Sequence, residues 1–73
     1  MPSLRNVRQQ EAIRAFCRLG GEEKPRSRGR GSHRVVNLNG QNLVIPDGIL
    51  KIGLLKNLIK ISGVSEEDFL EQL

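Results

Sequence analysis

Apolar residues follow three different rhythms along this chain. In "RNVRQQEAIRAFCRL", residues 5–19, Val7, Ala12, Ile13, Phe16, Cys17 and Leu19 recur at helical spacing. Asn6 or Ser3 is the expected N-cap, and Gly20-Gly21 the stop. The next stretch, "GGEEKPRSRGRGS" at 20–32, contains no apolar residue, and Pro25 argues against a central strand. It predicts a loop, with an irregular edge strand around Lys24 to Arg28.

From residue 33 the rhythm changes to alternation. "HRVVNL" and "QNLVI" flank Asn39-Gly40. An Asn-Gly pair between apolar runs marks a two-residue hairpin turn, because both residues accept positive φ. Such a turn fixes the register. Leu38 faces Gln41, Val36 faces Leu43 and Arg34 faces Ile45, while Val35 faces Val44 and Asn37 faces Asn42. Val36, Leu38, Leu43 and Ile45 then share the face that packs on helices. His33 has the parity of Val35 and Asn37, which places it on the open face.

Pro46-Asp47-Gly48 closes the hairpin, and the helical rhythm returns in "IGLLKNLIKIS", residues 52–62. Ile52, Leu55, Leu58 and Ile59 form its apolar side, and Gly63 is its natural end. A last helix, 66–73, begins at Ser65 as N-cap with Asp68 at the third position. Val64 can staple to Phe69, and Glu66, Glu67 and Asp68 sit where a helix N-terminus favours acids. Phe69, Leu70 and Leu73 are expected to complete the core. The order is helix, poor strand, strand, strand, helix, helix. It predicts one α+β domain over 1–73: a small antiparallel sheet with helices on one face, in the α-β-β-β-α arrangement of double-stranded-RNA-binding domains.

Composition narrows this picture. The chain has 73 residues with no Trp, no Tyr and two Phe, so its core is built from Leu, Ile and Val. A domain this small has little stability to spare, and a partner would add to it. The single Cys17 cannot close an internal disulfide and reads as a small apolar residue. No run resembles a signal peptide or a membrane span, so the expected location is the cytoplasm. No metal site or cofactor is expected from one cysteine and one histidine.

Charge changes the picture more. Residues 1–34 carry nine Lys/Arg and three acids, a net of +6. Residues 35–73 carry three Lys and five acids, a net of −2, and the sum is the chain's +4. A basic half without an apolar anchor points to a polyanion, and to nucleic acid rather than membrane. The only histidine, His33, lies in that half, within "GRGRGSHR". Arg28, Arg30 and Arg34 flank it, and arginine binds phosphate bidentately. Gly29 and Gly31 permit close approach of backbone to phosphate. The run is not a P-loop, since it lacks the spacing and the Lys-Ser/Thr ending. On this pattern alone His33 is a solvated residue at a strand entrance.

Gly31-Ser32-His33 opening a hairpin, "VIP" at 44–46, and "GLLKNLIKISGVSEEDFLEQL" at 53–73 together resemble the HicA family of mRNA interferase toxins. Gly53, Leu55, Leu58, Ile59, Lys60, Gly63, Val64, Ser65, Phe69 and Leu70 match the family's C-terminal pattern, and the resemblance spans about residues 7–73. It implies an RNA-cleaving toxin of a type II toxin–antitoxin system on a double-stranded-RNA-binding-like fold, neutralised by a HicB-type antitoxin. It carries the family's histidine onto His33, with Gly31 and Ser32 as motif neighbours. Arg28, Arg30, Gly31, Ser32 and Arg34 are the expected RNA and phosphate contacts. The chain departs from the family in its apolar-free first strand, and in Asp47, where relatives often have a second histidine. With one histidine and no tyrosine, a second proton carrier has to be a carboxylate, a lysine, water or a group from another chain. A non-catalytic RNA-binding module of the same fold is the alternative. A domain whose basic face docks an acidic protein is a third reading. The sequence leaves the RNA preference and oligomeric state open.

Overall fold

The computed structural model describes residues 3–25 and 33–73. Helix α1 (Gln9–Arg18) leads to a short strand β1 (Glu22–Glu23), then β2 (Arg34–Leu38) and β3 (Gln41–Ile45), and helices α2 (Ile52–Ser62) and α3 (Glu66–Glu71) follow. The strands form one antiparallel sheet in the order β1-β2-β3. The architecture is α+β, with a small open sheet and helices on one face. Among the described residues no helix is long and apolar enough to cross a membrane.

The hairpin follows from its turn. Asn39 has φ 53° and Gly40 φ 78°, the left-handed pair of a type I′ turn. The register pairs Arg34 with Ile45, Val36 with Leu43 and Leu38 with Gln41. Alternation then buries Val36, Leu38, Leu43 and Ile45 against the helices and leaves Asn42 and Val44 exposed. Asn39 Nδ2 also donates to the Ser62 carbonyl at 2.8 Å, which ties the turn to the end of α2.

Phe16 of α1 and Phe69 of α3 are both fully buried, with ring centroids 4.8 Å apart and planes tilted by 49°. Each ring contributes about 2–3 kcal/mol by burial, and the tilted pair about 1 kcal/mol more. Ser65 accepts from the Asp68 N–H at 3.0 Å, the expected cap of α3.

Several expected boundaries move. The first helix starts at Gln9 rather than residue 5, and its N-cap is Arg8 rather than Asn6 or Ser3. Asn6 has φ 58° and turns the chain. The Val7 carbonyl accepts from the Leu50 N–H at 2.8 Å, and the Gln9 N–H donates to the Gly48 carbonyl at 3.0 Å. Those strand-like bonds use the backbone groups that an earlier helical turn would need. They also bury Leu4 and Leu50, which complete the core at this end. Glu11 accepts from the Arg8 N–H at 3.0 Å, half of a capping box without a hydroxyl residue. The first strand pairs at Glu22–Glu23, earlier than Lys24 to Arg28. Pairing continues as far as the Lys24 N–H, which donates to Val35 at 2.8 Å; Pro25 then has no N–H to offer. Ile52 and Leu73 are exposed rather than core residues. Leu50 is buried in the core while Ile52 is not, and α3 ends at Glu71, before Leu73.

Gly20-Gly21 ends α1 as a Schellman motif. The Gly20 N–H donates to the Cys17 carbonyl at 3.0 Å and the Gly21 N–H to the Phe16 carbonyl at 2.9 Å. A Cβ at Gly21 would lie 2.8 Å from both the Phe16 carbonyl oxygen and Val36 Cγ1. Gly21→Ala is therefore expected to cost about 1–3 kcal/mol. Gly53→Ala, in a helix where a Cβ meets nothing within 4 Å, should stabilise by about 0.5–1 kcal/mol. Thermal unfolding of Gly21→Ala checks the packing of α1 on β2, and Gly53→Ala, moving the opposite way, is the open-site control.

Candidate nucleic-acid site at the start of β2

The antiparallel pairing of Lys24 with Val35 brings Pro25 and His33 to the same end of the sheet. Residues 26–32 join those two ends in sequence. Arg28, Arg30, Gly31 and Ser32 fall within that segment and lie outside the described residues. His33, the residue before β2, is exposed. Across the hairpin, β3 ends at Ile45 opposite Arg34, and the exposed Asp47 follows two residues later. The histidine and that carboxylate therefore occupy the same end of the sheet.

Arg34 is placed differently from His33. It has the parity of Val36 and Leu38 and is half-buried on the helix side. Its Nε donates to Glu23 Oε2 at 2.6 Å and its Nη2 to Glu23 Oε1 at 2.7 Å, a bidentate fork. Its Nη1 donates to Gln10 Oε1 at 2.7 Å. Three N–H groups of the guanidinium are thus committed to protein oxygens. The Glu23 hydrogen bond raises the Arg34 pKa above the ordinary arginine value; partial burial opposes the rise, and the charge of Glu23 adds to it. One side chain therefore straps β1, β2 and α1 together beside His33.

Gln10 and Glu23 are the site residues that sequence reasoning passed over. Placing the edge strand at Glu22–Glu23 would have set Glu23 near Arg34, but the lack of any apolar residue there hid the pairing. Gln9, the neighbour of Gln10, is buried and donates its Nε2 to the Ile45 carbonyl at 2.9 Å. It anchors the end of β3 to α1, so both strand ends near His33 are held by adjacent glutamines. On the open face, Asn37 Nδ2 donates to Asn42 Oδ1 at 2.9 Å, a polar cross-strand pair on the side opposite the core.

Comparison with known proteins adds one match. A family model described as the HicA toxin of bacterial toxin-antitoxin matches residues 10–64, from the Gln10 strap through the hairpin to the end of α2. No curated protein sequence and no solved structure matches the chain.

The strap makes a local prediction. Arg34→Met removes the fork to Glu23 and the bond to Gln10 while keeping an aliphatic stem. Global stability should fall by about 1 kcal/mol or less, as for a partly exposed ion pair. Hydrogen exchange should accelerate at the Lys24 amide, which bonds Val35 on the strapped edge, and stay unchanged at core amides of β2 such as Val36.

Proposed function

The chain belongs to the HicA family of toxins of bacterial toxin–antitoxin systems, and from that premise we propose that it is an endoribonuclease that cuts mRNA with His33. The supporting observation is the position of the only histidine. It is exposed at the end of a register-fixed hairpin, next in sequence to the arginine-rich segment 26–32.

The chemistry is metal-independent transesterification. His33 takes the proton from a 2′-hydroxyl, whose oxygen attacks the adjacent phosphorus. The 5′ oxygen leaves with a proton, which gives a 2′,3′-cyclic phosphate and a 5′-hydroxyl. Arg28 and Arg30 supply cations to the phosphoryl oxygens, and Gly31 and Ser32 frame the backbone before His33. Arg34, with its fork closed on Glu23, acts chiefly by holding the strand that carries His33 and adds positive charge behind the phosphate. The leaving 5′ oxygen takes its proton from water, which the exposure of His33 admits to this end of the sheet. The antitoxin that silences this activity is of the HicB type, and the place of action is the cytoplasm.

A binding module without cleavage is the second reading, favoured by Asp47 standing where relatives often have a histidine. The two readings separate cleanly. Wild-type and His33→Ala chains are expressed in a bacterium without the antitoxin, and growth and a reporter mRNA are followed. The nuclease reading expects arrest and mRNA loss from wild type alone, with cleavage by His33→Ala slower by about 10²–10⁴. A folded wild-type chain that neither slows growth nor cuts RNA contradicts it.

A further inference from the structure

We propose that the outward face of α1 is a track for the phosphate backbone of the single RNA strand that reaches His33, with Arg14 and Arg18 as its phosphate contacts. This rests on the nuclease reading above and extends it to residues one and two helical turns along α1 from Gln10.

The starting point is the bond from Arg34 Nη1 to Gln10 Oε1 at 2.7 Å. It fixes the first turn of α1 beside the first residue of β2, the neighbour of His33. Residues four apart share a helix face and are separated by about 6 Å along the axis. Gln10, Arg14 and Arg18 therefore rise in file from that junction, and all three are exposed. The opposite face of α1 carries Ala12, Ile13 and Phe16 in the core, so the file cannot rotate inward without unfolding the domain.

The electrostatics of the file favour an anion. The ion pairs among the described residues are Arg34 with Glu23 and Lys56 with Glu66, so neither Arg14 nor Arg18 has a carboxylate within 4.0 Å there. Arg18 commits one N–H, from Nη1, to the Gln72 carbonyl at 2.9 Å. That bond orients the guanidinium and leaves its charge unneutralised. Glu11, the acid of this helix, is turned back to the helix start, where it accepts from the Arg8 N–H at 3.0 Å. Two guanidiniums one turn apart on a rigid helix suit successive backbone phosphates, since each can grip an anion with two donors. The net +6 of residues 1–34 places this file in the basic half of the chain.

The test uses the full chain with His33→Ala, which keeps RNA uncut, and a single-stranded RNA oligonucleotide titrated over a series of salt concentrations. Adding Arg14→Gln and Arg18→Gln together should weaken binding about 10-fold or more at low salt. It should also reduce the slope of log K against log salt by about 1.4, two contacts at about 0.7 each for a single strand. The pair Lys56→Gln and Lys60→Gln on α2 removes the same charge and should move both quantities far less. All these side chains are exposed, and unchanged thermal unfolding confirms that the variants fold. An Arg14/Arg18 variant with the parent's affinity and slope overturns the track and leaves the nuclease reading standing. Equal losses from the α2 lysines, or a loss seen with duplex RNA alone, also overturn it. A parent chain that binds no RNA at any salt concentration overturns both.

Discussion

Asn39 and Gly40 hold φ values of 53° and 78°, and most of what positions the histidine follows from that two-residue turn. A turn of this kind admits one register between its strands. A slip of one residue in either strand would send that strand's buried pair, Val36 and Leu38 or Leu43 and Ile45, to the open face. The turn is itself held from outside, because Asn39 Nδ2 bonds the carbonyl of Ser62. Ser62 is buried, donates its hydroxyl to the Ile59 carbonyl at 2.7 Å, and precedes the left-handed Gly63 that ends α2. The hairpin register and the end of α2 therefore specify each other.

The far end of the hairpin receives what the turn dictates. The same alternation that buries Val36 aims Arg34 to the helix side, where Glu23 and Gln10 close on it. Gln9 holds the carbonyl of Ile45 on the partner strand. A sheet with a two-residue edge strand and no apolar residue in it would fray at this corner. Polar straps hold it where a hydrophobic contact is lacking. The consequence for function is an exposed histidine at the end of a strand that side-chain hydrogen bonds tie to α1 and β1, next in sequence to a segment rich in arginine and glycine. Membership of the HicA toxin family gives that arrangement its meaning.

The hairpin and the two C-terminal helices were legible because their signals are local. Asn39-Gly40 carries its own turn geometry, and Ser65 with Asp68 carries its own cap. The start of α1 was not legible, since it depends on strand-like bonds between residues 7–9 and 48–50, 39 to 43 positions apart in the chain. Propensity over "RNVRQQ" favours helix, and the tertiary pairing overrides it. Leu4 and Leu50 were missed as core residues for the same reason. Of the site, the parity of the strand pointed to the exposure of His33, while the commitment of Arg34 to Glu23 could not be read. An arginine beside a histidine carries no sign in the sequence of the cross-strand carboxylate that pairs with it. Arg28, Arg30, Gly31 and Ser32 remain assignments made on sequence and family.

The central claim is that one histidine, held by this hairpin, cleaves RNA through the 2′-hydroxyl. The most direct measurement is the chemistry of the ends left when the purified chain cuts a defined RNA in excess chelator. The account predicts cleavage under those conditions, with 2′,3′-cyclic phosphate and 5′-hydroxyl ends. Products with 3′-hydroxyl and 5′-phosphate ends, or cleavage that stops when divalent ions are removed, would contradict it.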